Sequence, residues 1–144
     1  MSHVRTILIL ISTWLLCTSC VSAGPEVELK GERFSVEVAT TPREQALGLM
    51  FRDSMPEDHG MLFMFPSAIT RNFWMKNTRI PLDIFYFDEN RRLVSVAQNA
   101  KPCRVANCPA YPSTGPAMYV LELNAGKAAE LNVQPGEELL LFLD

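Results

Sequence analysis

Apolar and polar positions change their spacing several times along this chain, and each change marks an element. Val27 to Lys30 and Arg33 to Ala39 are short runs around Gly31, and in the second Phe34, Val36 and Val38 alternate with Ser35 and Glu37. Strand side chains point to opposite faces in turn, so this period-two pattern predicts two strands paired as a hairpin. Thr41-Pro42-Arg43-Glu44 supplies an N-cap threonine, a proline at the first helical position and a glutamate at the third. That capping box predicts a helix running to about Met50. Gly48 inside it points to a neighbouring backbone packed close by.

From Gly60 the apolar density rises. Met61 to Phe65, Phe73 to Lys76, Leu82 to Phe87 and Leu93 to Ala97 are each strand-length and rich in aromatic or branched residues. Turn residues separate them: Pro66-Ser67, Pro81 and Asp88-Glu89-Asn90-Arg91. They predict central strands buried on both faces, the last two joined as a hairpin. Asn99 to Pro116, with four of the prolines, predicts a long loop, the kind of segment that frames binding sites. Ala117 to Leu123 returns as a strand, Asn124 is placed to cap a short helix from Ala125 to Leu131, and Glu138 to Leu143 closes the pattern. Seven or eight strands with two short helices predict a mainly β fold, an antiparallel β-sandwich or partly closed barrel.

The amino-terminal residues follow a different logic. Met1 to Thr6 carries Arg5 and no acid, Ile7 to Leu16 is apolar or small throughout, and Cys17 to Ala23 is small and neutral. This is the three-part layout of a secretory signal peptide. Its apolar core is ten residues, against the ~20 a membrane-crossing helix needs, so no transmembrane span is expected. Residues 1–23 are therefore expected to be removed, leaving one β-rich domain over 24–144 in the periplasm or cell envelope. Val21-Ser22-Ala23 has the small-x-small form of a general cleavage site. Cys20 competes with it as a lipid-attachment site, although Cys17 stands where a lipoprotein signal carries a large aliphatic residue.

Net charge is −3 without a basic run, which gives no footing for a nucleic-acid partner. Of the four cysteines, Cys17 and Cys20 fall in the signal, leaving Cys103 and Cys108 in the proline-rich segment. In an oxidising compartment such a pair is expected to form a disulfide. Its spacing is not that of a thioredoxin-like redox site, and no nearby histidine completes a zinc set.

Five words in order carry a resemblance: Gly48-Leu49-Met50-Phe51-Arg52, Gly60-Met61-Leu62-Phe63, Phe73-Trp74-Met75-Lys76-Asn77-Thr78, Pro81-Leu82-Asp83 and Val120-Leu121-Glu122-Leu123-Asn124-Ala125-Gly126. In these the chain resembles the domain of unknown function 192 family, small bacterial and archaeal proteins, from about Val36 to Leu141. The resemblance implies a compact β-rich fold, often behind an export signal, and no established reaction. The segment around Cys103 and Cys108 matches the pattern only loosely.

Candidate chemistry therefore rests on the residues. Trp74, Lys76 and Thr78 share one side of a strand, offering an aromatic plane beside a cation, a surface suited to a sugar or an anion. Asn77 borders it, and Asp83 is expected to meet Lys76 or Arg79 across a hairpin, since a carboxylate within Pro81 to Phe85 is costly to bury unpaired. Arg52, and Glu122 as the one charge within Met118 to Leu123, are further polar anchors. Each has a structural alternative: Trp74 as core, Lys76 with Asp83 as a buried pair, Asn77 as a turn cap, Arg52 and Glu122 as salt-bridge partners. A cleft for a small polar ligand, or for an envelope partner, is the expectation. The rivals are a hydrolase of envelope carbohydrate using Asp83 and Glu122 as its two carboxylates, and a structural protein with no small-molecule site. Methionines invite a Cu(I) reading, but Met61, Met64 and Met75 sit in core-like runs and His59 is the one histidine beyond the signal. No phosphate-binding loop or dinucleotide fingerprint occurs, and no cofactor is expected.

Overall fold

A computed structural model describes residues 24–143. The expected signal segment, with Cys17, Cys20 and the expected cleavage site, lies outside the described residues. Strands β1 (Glu26–Leu29) and β2 (Glu32–Ala39) form the expected antiparallel hairpin. Lys30 and Gly31, at φ 56° and 81°, make its two-residue turn, the positive-φ geometry whose twist matches that of the flanking strands.

Helix α1 (Pro42–Leu47) begins on the expected capping box. Glu44 N donates to Thr41 Oγ1 at 3.3 Å, and Thr41 N donates to Glu44 Oε2 at 2.9 Å. The helix stops at Leu47, one turn short of the expected Met50. Gly48 ends it at φ 48°, and a Cβ added there would lie 3.3 Å from the Phe63 ring. The neighbour packed close to Gly48 is thus an aromatic side chain rather than a backbone, and the positive φ is what calls for glycine.

Strand β3 (His59–Trp74) is one element where the sequence suggested two. Pro66 lacks the N–H of a ladder residue, yet it falls in the register shift between Met64 and Ile69, where a bulge removes the need for that bond. β4 (Leu82–Phe87) and β5 (Leu93–Ala100) form the expected hairpin. The segment Asn99 to Pro116 is not one long loop, because β6 (Ala110–Asn124) begins far earlier than Ala117. β4 pairs with β6 only over Tyr119–Asn124. The Ala110–Pro116 arm thus lacks a ladder partner on that side, and Pro112 and Pro116 fit there without orphaning a bond. Only residues 101–109 remain as a loop. Helix α2 (Lys127–Glu130) and β7 (Leu139–Phe142) complete the chain.

All seven strands belong to one sheet in the order β5-β4-β6-β3-β2-β1-β7, curled into a half-barrel. Its ladders are antiparallel except β2 with β3. One sheet rather than two sets aside the sandwich alternative. The edge strands meet at one end, where Leu139 N donates to Arg91 O at 2.9 Å and Leu93 N to Glu137 O at 2.8 Å, so the barrel is partly closed.

Apolar side chains form a core on each face. The inner core takes residues from every strand, among them Val27, Phe34, Leu62, Phe85, Leu93, Leu121 and Leu139. The outer core joins Met61, Phe63, Leu82, Ile84, Tyr86 and Val120 to the segments that cover them, through Leu49, Met55, Met75 and Ile80. β4 is buried at every position, as expected of a central strand, whereas β5 is an edge. Met55, Met61 and Met75 fill the outer core, packed among hydrocarbon rather than grouped on an exposed loop.

Candidate functional site

β2 leaves the sheet at Ala39 and the chain turns into α1, so β3 has no neighbour on that side beyond Phe63. Gln45 of α1 holds the fork by donating from Nε2 to Met64 O at 2.8 Å and to Ala39 O at 3.4 Å. The outcome is a groove between α1 and the free side of β3. Its outer part, about 330 Å³, is lined by Gln45, Phe65, Arg71, Asn72, Phe73 and Trp74. A narrow slot of about 30 Å³ continues inward past Gly48, Phe63, Trp74 and Thr78 to Glu122.

Glu122 is the unusual residue here. Its position on β6 is opposite Met61 on one side and Ile84 on the other, so its side chain enters the outer core. It is only 5 % exposed. Among the described residues no hydrogen bond or ion pair reaches it, its oxygens are not wholly occluded, and burial pushes its carboxyl up to about 8. Phe63 and Phe73 wall the same slot and meet edge to face at 5.0 Å. Phe73 packs likewise on Tyr86 at 5.9 Å. The Tyr86 hydroxyl donates to Tyr111 O and is held well above its usual range, first by burial and then by the negative potential of Glu122.

Trp74 ends β3 at the mouth of this groove and is 52 % exposed, so it is not core. Lys76 lies beyond the strand in an isolated bridge with Cys103, and its Nζ stands 5.7 Å from the Trp74 ring centroid. The aromatic and the cation are therefore neighbours, as the alternation suggested; Thr78 lines the slot with Trp74, whereas Lys76 lines neither part of the groove. Asn77 serves its turn through the backbone, in the left-handed region at φ 56°, with its N–H donated to Cys103 O and its carbonyl accepting from Phe51 N, both at 2.8 Å.

Asp83 does not join this group. It faces the inner core, 1 % exposed, and receives three backbone N–H groups: Asn99 at 2.7 Å, Ala128 at 2.8 Å and Gly126 at 3.0 Å. It ties β5 and the start of α2 to β4, and its partner is neither Lys76 nor Arg79. The helix cap expected of Asn124 is thus provided by Asp83, while Asn124 Nδ2 donates to Met55 O at 3.0 Å. On β4 and β6, Ile84 stands opposite Glu122 and Asp83 opposite Leu123. Successive side chains alternate faces, so Asp83 and Glu122 lie on opposite faces of the sheet and cannot flank one bond as a carboxylate pair.

Arg52 is likewise elsewhere, paired with Glu37 through Nη2 to Oε2 at 2.6 Å. That bond, with a further one from His59, holds the Glu37 carboxyl below its usual range against the opposing effect of burial. Ser35 Oγ stands 2.8 Å from His59 Nδ1 in the same chain of contacts. Sequence spacing concealed this Ser35-His59-Glu37-Arg52 series, because only the parallel register of β2 with β3 brings Ser35 opposite His59. None of the four lines either part of the groove.

Cys103 and Cys108 form the expected disulfide, with Cα atoms 5.8 Å apart. Among the described residues no cluster of histidine, cysteine, aspartate and glutamate is placed to hold a metal, and no helix is long and apolar enough to cross a membrane.

These features define a class: small, curled, single-sheet β domains with a capped helix beside the free stretch of a long strand and a buried acid at the groove floor. The chain belongs to the DUF192 family, described as "Uncharacterized ACR", whose pattern it matches over residues 26–141. Two crystal structures are similar. A protein of unknown function from Novosphingobium aromaticivorans DSM 12444 is 38% identical with a TM-score of 0.72, over 83% of this chain and 88% of that one. A protein from Sinorhizobium meliloti 1021, described as a "putative transcription regulator", is also 38% identical with a TM-score of 0.75, over 84% and 96%. No curated protein matches the chain.

Proposed function

We propose that this chain is an exported binding domain whose groove between α1 and β3 takes a small uncharged polar ligand of the sugar class, with one hydroxyl seated on Glu122. The observation that carries this is a buried carboxyl with no hydrogen-bond or ion-pair partner among the described residues, lining the slot that continues the groove. A lone buried carboxyl costs stability, and a ligand group that satisfies it offsets that cost. With its titration near pH 8, Glu122 is predominantly neutral at pH 7 and so both donates and accepts. A hydroxyl has the same dual character, whereas an anion would be repelled by the ionised fraction. Trp74 supplies an exposed plane at the mouth for an apolar sugar face, and the outer groove, about 330 Å³, falls within the ~300–1,000 Å³ of small-molecule sites.

The description of the Sinorhizobium meliloti protein finds no support in this chain. Its net charge is −3, and among the described residues the helices are one or two turns long with one basic residue each.

Tryptophan fluorescence provides the test. The chain has two tryptophans, and Trp14 falls in the signal segment, so Trp74 reports alone in the processed protein. Titration with neutral mono- and disaccharides should give a saturable change, weakened at least tenfold by Glu122→Leu and less by Glu122→Gln. A half-exposed Trp74 that responds to no sugar, with no rise in Tm, would overturn the sugar reading and favour a partner-binding or structural role.

A further inference from the structure

Beside the groove lies a second cavity of about 400 Å³, lined by Phe51, Asn77, Arg79 and Arg104. Two arginines thus line one space in a protein whose net charge is −3. Arg104 forms no ion pair or hydrogen bond with any described residue. Arg79 lies over the Phe51 ring at 5.9 Å and pairs with Asp53 at 2.8 Å, and that carboxylate is 80 % exposed, where a competing anion meets little resistance. Asn77 lines the same cavity, on a backbone held by hydrogen bonds to Cys103 O and from Phe51 N. Like charges brought together without an acid to neutralise both are an unfavourable arrangement that an anion relieves. Guanidinium forks match the oxygen geometry of a phosphate.

The cavity wall adds a second demand. Phe51, which lines the cavity, is 54 % exposed. An exposed aromatic ring lining the same cavity as two arginines fits a phosphate carried on an apolar body better than a free ion. The disulfide is part of this construction: Cys103 bridges to Lys76 and accepts the Asn77 N–H, so its bond to Cys108 braces the loop that presents Arg104.

We infer that the cavity between Phe51, Asn77, Arg79 and Arg104 is a binding site for a phosphate group attached to an apolar moiety, separate from the Glu122 groove and held in shape by the Cys103–Cys108 bond. The moiety has two possible sources, a soluble phosphomonoester or an anionic lipid headgroup, and the experiment tells them apart.

Phenyl phosphate is titrated into the purified, oxidised protein by calorimetry, and vesicles of phosphatidylcholine with or without phosphatidylglycerol are tested by cosedimentation. Saturable binding of phenyl phosphate identifies a soluble ligand, and binding only to the phosphatidylglycerol vesicles identifies the lipid. In either case Arg104→Ala and Arg79→Ala should each weaken binding at least tenfold, about 1.4 kcal/mol, with urea midpoints close to the parent because both side chains reach solvent. Asp53→Ala should strengthen binding by removing the competing carboxylate, and reduction of the disulfide should weaken it. Binding to neither probe, or binding that neither arginine variant alters, would overturn the assignment.

Discussion

Replacing Glu122 with glutamine should make the protein more stable at neutral pH, and increasingly so as pH rises. The parent carboxyl is buried, has no partner among the described residues and is pushed by burial up to about 8, against 4.5 for an ordinary glutamate. Between those two values the folded state binds more protons than the unfolded chain, so parent stability falls as pH increases. The penalty is absent below about pH 4.5, grows by ~1.4 kcal/mol per pH unit and levels off above about pH 8. At pH 7 this comes to about 3 kcal/mol, a large share of the ~5–15 kcal/mol that holds a domain folded. Glutamine keeps the shape and carries no charge to desolvate. The assay is urea unfolding of parent and variant at pH 5, 6, 7, 8 and 9 in one buffer series. Similar stabilities at pH 5 should diverge by about 3 kcal/mol at pH 7 in favour of the variant. Curves that stay parallel across the series would refute the reasoning, since they would mean that Glu122 ionises as freely in the fold as outside it.

Three other substitutions test the framework around the site. Asp83→Ala should cost about 3 kcal/mol in urea unfolding, because it strands three backbone N–H donors of which two belong to the first turn of α2; a loss under 1 kcal/mol would argue against that role. Gly60→Ala should be more harmful than its size implies, since the new methyl would stand 2.5 Å from Glu122 O, and a Tm within a degree or so of the parent would show that β3 and β6 can separate. Opening the Cys103–Cys108 bond with reductant should lower stability by roughly 2 kcal/mol, the chain-entropy value for so short a loop, read as the shift in urea midpoint between oxidised and reduced protein.

Local rules located most of the fold. The capping box of α1, the Lys30-Gly31 turn and the Asp88 to Arg91 hairpin depend on neighbours within a few residues, and all three form as their chemistry requires. The misplaced boundaries share one cause. Pro66, Pro112 and Pro116 read locally as breaks, but each sits where the sheet asks for no hydrogen bond, at a bulge or along an unpaired side, and that is decided by strands distant in sequence. The site follows the same division. Trp74 beside Lys76 and the Cys103–Cys108 bond were legible because period-two alternation and cysteine spacing are short-range. Glu122 could be marked as a lone charge in an apolar strand, yet its lack of a partner and its opening to a slot depend on α1, β3 and Thr78 arriving from elsewhere. Asp83 drew attention for a sound reason, the cost of a buried carboxylate, and the partners turned out to be backbone groups that carry no mark in the sequence.

Strand β1 lies between β2 and β7, with Glu26 opposite Phe142 and Leu29 opposite Leu139. The first strand of the sheet therefore completes its ladder with the last. A nascent chain cannot make this pairing until Phe142 has been synthesised, and until then one side of β1 and the inner-core faces of Val27 and Leu29 stay uncovered. Loop closure over so long a separation is entropically late and slow. Truncation of even the last strand should leave not a slightly smaller domain but one with an adhesive edge at its very beginning.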